Sequence, residues 1–160
     1  MLRDLGLEPT GERDELPAES PIGGAALPGG WYVVVCDRYE HELVRDEVVK
    51  RVSRGVEAVT AGAEEHVMVS FAAGWRDGER LWWSAHDSEG GLYDLVAECA
   101  LPEGFEALRR RRLDEQAAAG GSDADVDYVF SLPLDAAKLV TGFAHDETEP
   151  DGGFAVLART

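Results

Sequence analysis

Cysteine is scarce in this chain: two residues in 160, Cys36 and Cys99, with no C-x-x-C spacing. Each lies in an apolar, strand-like run, so a buried reduced thiol is expected at both, rather than a disulfide, a metal ligand or a nucleophile. Long apolar runs are also missing. The strongest, Trp31 to Cys36, falls far short of the roughly 20 residues a membrane-spanning helix needs. Positive charge is the third shortage, with 15 Lys+Arg against 32 Asp+Glu and a formal net charge of −17. Such a field repels phosphate backbones and anionic headgroups, which argues against nucleic acid and membrane as partners. It speeds encounter with a basic protein. The N-terminus opens Met1-Leu2-Arg3-Asp4 and soon meets Glu8, Glu12, Asp14 and Glu15. It lacks the basic start and apolar centre of a secretory signal, so a cytoplasmic location is expected.

The standard catalytic signatures are absent as well: no G-x-S-x-G, G-x-x-x-x-G-K-[ST], H-E-x-x-H or G-x-G-x-x-G occurs. His41-Glu42 opens like a zinc helix, but Arg45 stands where the second histidine belongs. Asp123, Asp125 and Asp127 open like a calcium loop, but Tyr128 replaces the turn glycine and Leu134 the bidentate glutamate. Neither a metal nor a cofactor is expected, and the three aspartates are read as projecting to solvent.

What the chain does contain is enough apolar material for one core: 44% hydrophobic residues, with four Trp, four Tyr and five Phe. Residues 1–30 hold four of the seven prolines and two Gly pairs, which reads as a flexible or loosely packed leader. A single α+β domain is expected over residues 31–160. It should open with a strand at Trp31–Cys36 and continue with a helix from Glu40 to Arg54, where Val44, Val48 and Val52 recur every four residues. From Val56 to Cys99 the apolar period falls to two, predicting an antiparallel meander of about four strands. A second helix should follow Pro102 and stop at Gly120-Gly121. A strand is expected over Val126, Tyr128, Phe130 and Leu132, ended by Pro133, then a short helix to Val140 and a last strand near Phe154–Leu157. The fold class is thus an antiparallel sheet with two main helices and one short helix against it. Four consecutive arginines, Arg109 to Arg112, surround the second helix, and pairing with the protein's own carboxylates or a solvated face is expected for them, in preference to a nucleic-acid patch.

One constellation could carry chemistry. A hairpin centred on Arg76 places His66 opposite His86, with Asp87 next along the chain, as a metal site or general acid/base pair would need. A register shift of one residue separates the two rings. For binding, Trp75 in the expected hairpin loop Gly74–Gly78 is the aromatic read as partly exposed. The carboxylates of two loops, Asp123, Asp125 and Asp127 in one and Asp146, Glu147 and Glu149 in the other, are the expected docking groups for a basic partner.

The segments Gly30-Trp31-Tyr32, Glu64 to Met68, Gly74 to Gly78, His86-Asp87 and Val126 to Phe130 resemble a family of uncharacterised bacterial proteins. That family has no known activity, so the resemblance implies no catalytic residue. In size, acidity and α+β character the chain is also similar to immunity proteins that neutralise bacterial toxins. The leading expectation is a non-enzymatic acidic binding or inhibitor protein. Its competitors are a small enzyme built on His66, His86 and Asp87, and a structural or assembly subunit.

Overall fold

Asp77-Gly78 sets the longest hairpin. In the computed structural model, which describes residues 1–160, both turn residues have positive φ, 54° and 81°, the pair a tight hairpin turn of the primed type demands. The strands it joins belong to a chain that runs β1 (Leu7–Asp14), β2 (Ile22–Ala26), β3 (Tyr32–Cys36), α1 (Asp46–Val52), β4 (Glu57–Glu64), β5 (Val69–Arg76), β6 (Glu79–Asp87), β7 (Leu95–Cys99), α2 (Phe105–Ala118), α3 (Leu132–Thr141) and β8 (Phe154–Arg159). The α+β class expected from the sequence is present as two four-stranded sheets, ordered β1-β8-β2-β3 and β4-β5-β6-β7. Every strand pairing is antiparallel.

The second sheet is the predicted meander. Its β5 and β6 positions alternate, so that Ser70, Ala72 and Gly74 lie opposite His86, Ser84 and Trp82. All six are buried. Ala72 and Trp82 form a core cluster with Phe105 of α2 and Ala136 and Ala137 of α3. Gly74 is needed there because the Trp82 indole lies against its Cα, in the space a Cβ would fill. The opposite face carries Ala73 and Trp75, which pack on Val49 of α1. The neighbouring residue of α1, Val48, packs instead on the cluster of Leu7, Ile22, Leu43 and Leu157 in the first sheet. A helix of seven residues thereby joins the two cores.

Four features depart from the sequence reading. Residues 1–30 are not a loose leader: β1 and β2 flank β8 in the first sheet, with Leu7, Ile22, Ala25 and Leu27 buried. Proline and glycine in this segment are compatible with order, because an edge strand tolerates proline and a crowded sheet interior accepts glycine. The helix expected from Glu40 to Arg54 is broken at Arg45, whose extended backbone (φ −67°, ψ 141°) separates a 3₁₀ turn at Glu42–Val44 from α1. The capping residue of that turn is His41, whose Nδ1 accepts the Leu43 N–H at 3.2 Å. No strand forms over residues 126–132. Polar side chains satisfy that backbone instead, and Pro133, rather than ending a strand, takes up the start of α3. Finally, Cys99 is exposed at the end of an edge strand and Cys36 is half-buried, so neither thiol is a core residue. Burial and the neighbouring Asp37 push the Cys36 thiol up to about 11.

Candidate functional site

The alternation of β6 turns His86 towards α2 and α3, where its side chain has no solvent exposure. Nδ1 lies 2.7 Å from the Asp94 carbonyl oxygen. A carbonyl only accepts, so Nδ1 carries a proton. Nε2 lies 3.0 Å from Asp127 Oδ2, within hydrogen-bond distance. The other Asp127 oxygen, Oδ1, accepts the amides of Val129 and Phe130, each at 2.9 Å. Ser70, directly opposite His86, donates its hydroxyl to the Phe130 carbonyl at 2.7 Å.

Gln116 of α2 completes the arrangement from the other side. Fully buried, it donates to the carbonyls of Gly121 and Val126 at 2.8 and 2.9 Å and accepts the Tyr128 amide at 2.8 Å. The irregular segment from Gly121 to Ser131 is therefore held by buried side chains where a ladder would otherwise satisfy it, as buried backbone requires. Asp127 is one of the docking carboxylates expected from the sequence, and the structure gives it this internal role instead.

Chemically, the arrangement positions; it has no free base. Ser70 and Ser84 share the face with His86 and Asp127, the residue types of a serine nucleophile with its base. Both imidazole nitrogens are already engaged, however, so no ring lone pair is left to take a hydroxyl proton. Ser84 Oγ is buried with no partner, and nothing activates it.

His66 and His86 do not meet. The Asp77-Gly78 turn and a register shift between Gly74 and Trp75 place Ser70, not His66, opposite His86. His66 lies in the turn between β4 and β5 with its side chain 95% exposed, bonded to Glu64 at 2.9 Å. That bond holds the Glu64 carboxyl below its ordinary value. Asp87 sits in β6 next to His86, so the strand alternation turns it to the opposite face. It is exposed, with its Oδ1 capping the Glu89 amide at 2.9 Å. The enzyme reading built on these three residues loses the convergence that motivated it. No group of three or more His, Cys, Asp and Glu stands in position to hold a metal ion.

Trp75 is likewise corrected. β5 continues through it to Arg76, so it is a core residue only 2% exposed. The half-buried aromatics of that face are Trp83 and Phe71, stacked with ring centroids 5.6 Å apart, and the Arg80 guanidinium overlies Trp83 at 5.2 Å. Of the remaining expected docking groups, Glu147 pairs with Lys138 at 2.6 Å and Asp146 lies 4.0 Å from His145. Asp123, Asp125 and Glu149 are exposed. No Lys or Arg stands within ion-pair distance of these three.

Comparison of the chain with known family models, with characterised proteins and with solved structures returns no match. Three of the four arginines of α2 pair with carboxylates, and the exposed Arg110 bonds the Glu106 carbonyl instead. Arg112 reaches Asp135 of α3 at 2.8 Å and Glu115 at 3.0 Å. Burial opposes that charge, but the two carboxylates outweigh it and hold the guanidinium above its ordinary value. Arg111 pairs with Glu115 and Arg109 with Glu106. An open cleft of about 570 Å³ lies between β7 and the start of α2, where Cys99, Leu101, Pro102, Phe105 and Arg109 line it.

Proposed function

We propose that this protein is a non-enzymatic, cytoplasmic binding or inhibitor domain whose acidic exterior docks on a basic partner protein. One observation carries the reading: with 32 Asp+Glu against 15 Lys+Arg, carboxylates of the two acidic loops stay exposed with no cation beside them. Arg76, Arg109, Arg111, Arg112, Lys138 and Arg159 pair with the chain's own acids, whereas Asp123, Asp125 and Glu149 face solvent. A surface of this kind steers a basic protein and excludes acidic ones. The engagement of both His86 nitrogens supports the non-enzymatic part of the proposal.

No helix of the chain is long and apolar enough to cross a membrane. The test begins with the basic protein retained by the immobilised chain from its host's lysate. Calorimetry then compares the wild type with the triple variant Asp123→Asn, Asp125→Asn, Glu149→Gln. A weaker complex for the variant, with unchanged thermal stability, supports docking through these carboxylates. An affinity unaffected by the three substitutions contradicts it.

A further inference from the structure

From Ser20 to Cys36 the chain carries no Asp, Glu, Lys or Arg, the longest such run in a protein of net charge −17. That run is the β2–β3 hairpin with its approaches. β3, Tyr-Val-Val-Val-Cys, is the outer strand of the first sheet, with only β2 beside it.

The parity of an antiparallel ladder shows which backbone groups of β3 are already bonded. The Leu27 amide donates to the Trp31 carbonyl at 2.8 Å, and the Asp37 amide donates to the Pro21 carbonyl at 3.1 Å. The odd-numbered residues from 31 to 37 therefore face β2. Tyr32, Val34 and Cys36 turn their amides and carbonyls outward, to an edge that no strand occupies.

The other three edges are guarded in the ways that prevent strand addition. β1 contains Pro9 and Gly11, four charged residues and a break in register between Pro9 and Arg13. β4 is bracketed by Glu57 and Glu64. β7 carries Glu98. β3 has no proline, glycine, charge or bulge.

We propose that β3 is a homodimerisation edge. It pairs antiparallel with β3 of a second copy about a two-fold axis beside Val34, so that Val34 faces its own counterpart and Tyr32 faces Cys36. Each facing pair exchanges two N–H···O bonds, and the two first sheets become one continuous sheet. A second copy is the occupant that fits the charge. Two molecules of net charge −17 can approach only where both are neutral, and a neutral strand offers a basic partner nothing. The proposal is independent of acidic docking and responds to salt in the opposite sense, since screening weakens the repulsion between copies.

Sedimentation equilibrium of the full chain at low and high salt tests it, with Val34→Pro as the variant. Proline there removes an outward N–H and leaves the bonds to β2 in place. The expected result is a wild-type dimer that tightens with salt and a monomeric variant with an unchanged far-UV spectrum. Cross-linking gives a second readout that does not depend on the proline variant folding. In a Cys36→Ser, Cys99→Ser background, V34C brings two Cα atoms to about 5.5 Å, the separation of a hydrogen-bonded pair and within disulfide reach. V34C closes the dimer, whereas V33C, displaced from the axis, does not. A wild type monomeric at both salt concentrations, a Val34→Pro variant that dimerises like the wild type, or equal cross-linking of V33C and V34C overturns the proposal.

Discussion

His86 and Asp127, 41 residues apart, are joined by a 3.0 Å hydrogen bond inside the protein. The bond ties the second sheet to the turn that launches α3. Because the same carboxylate caps the amides of Val129 and Phe130, its loss strands two amide donors and leaves His86 Nε2 without its partner.

Asp127→Ala should therefore destabilise the fold by about 3 kcal/mol, the usual range for removing one partner of a buried pair. Chemical denaturation measures this. His86→Ala combined with Asp127→Ala should cost clearly less than the sum of the single changes. Additive losses would show that the two side chains act separately.

Gly74 and Trp82 make a second prediction. A methyl at position 74 meets the indole, so Gly74→Ala should lower stability by about 1–3 kcal/mol through overpacking. The compensating change Trp82→Phe, which shrinks the ring, should recover part of that loss in the double variant. Thermal unfolding of the three variants reads both effects.

Acidification should act through His41. Burial lowers its pKa below the ordinary 6.5, with Arg38 and Arg159 acting in the same direction. The neutral Nδ1 accepts the Leu43 amide, and a protonated one cannot. A base with a depressed folded-state pKa contributes its full stability above about pH 6.5 and loses it as pH falls through the folded value. His41→Asn keeps a capping acceptor and does not titrate. Its stability should therefore decline less than that of the wild type on acidification from neutral pH through the mildly acidic range.

The N-terminal segment gives the fourth prediction. Because β1 pairs with β8 and Leu7 is buried in the first-sheet cluster, deletion of residues 1–14 should abolish cooperative unfolding of the first sheet, monitored by near-UV circular dichroism. A truncated chain as stable as the full one would show that the segment is a loose leader after all.

Elements governed by local pattern are legible in the sequence. The period-two run from Val56 to Cys99 marks the second sheet, Pro102 and Gly120-Gly121 bracket α2, and Phe154 to Leu157 lies within β8. The parts that differ depend on information that local pattern does not carry. Burial of Leu7 and of the β2 residues from Ile22 to Ala25 depends on β8, which follows more than a hundred residues later and separates β1 from β2. The register of the β5–β6 hairpin turns on Asp77-Gly78, a strong two-residue turn signal, and not on a five-residue loop centred on Arg76. That shift of centre parts His66 from His86 and draws Trp75 into the core.

The internal site is the least visible in the sequence. Val126 to Leu132 has the apolar alternation of a strand, yet Gln116, Asp127 and Ser70 supply the partners that its backbone would have sought in a sheet. The one local signal is Asp127 itself. An aspartate two and three residues before amides that need acceptors marks an Asx turn, and it competes with the strand pattern.

The salt dependence of binding to the basic partner tests acidic docking most directly. Affinity measured by calorimetry over a series of ionic strengths should fall steadily as salt rises, with the association rate falling alongside it. An affinity that stays constant, or rises, across the series would contradict docking through the acidic surface.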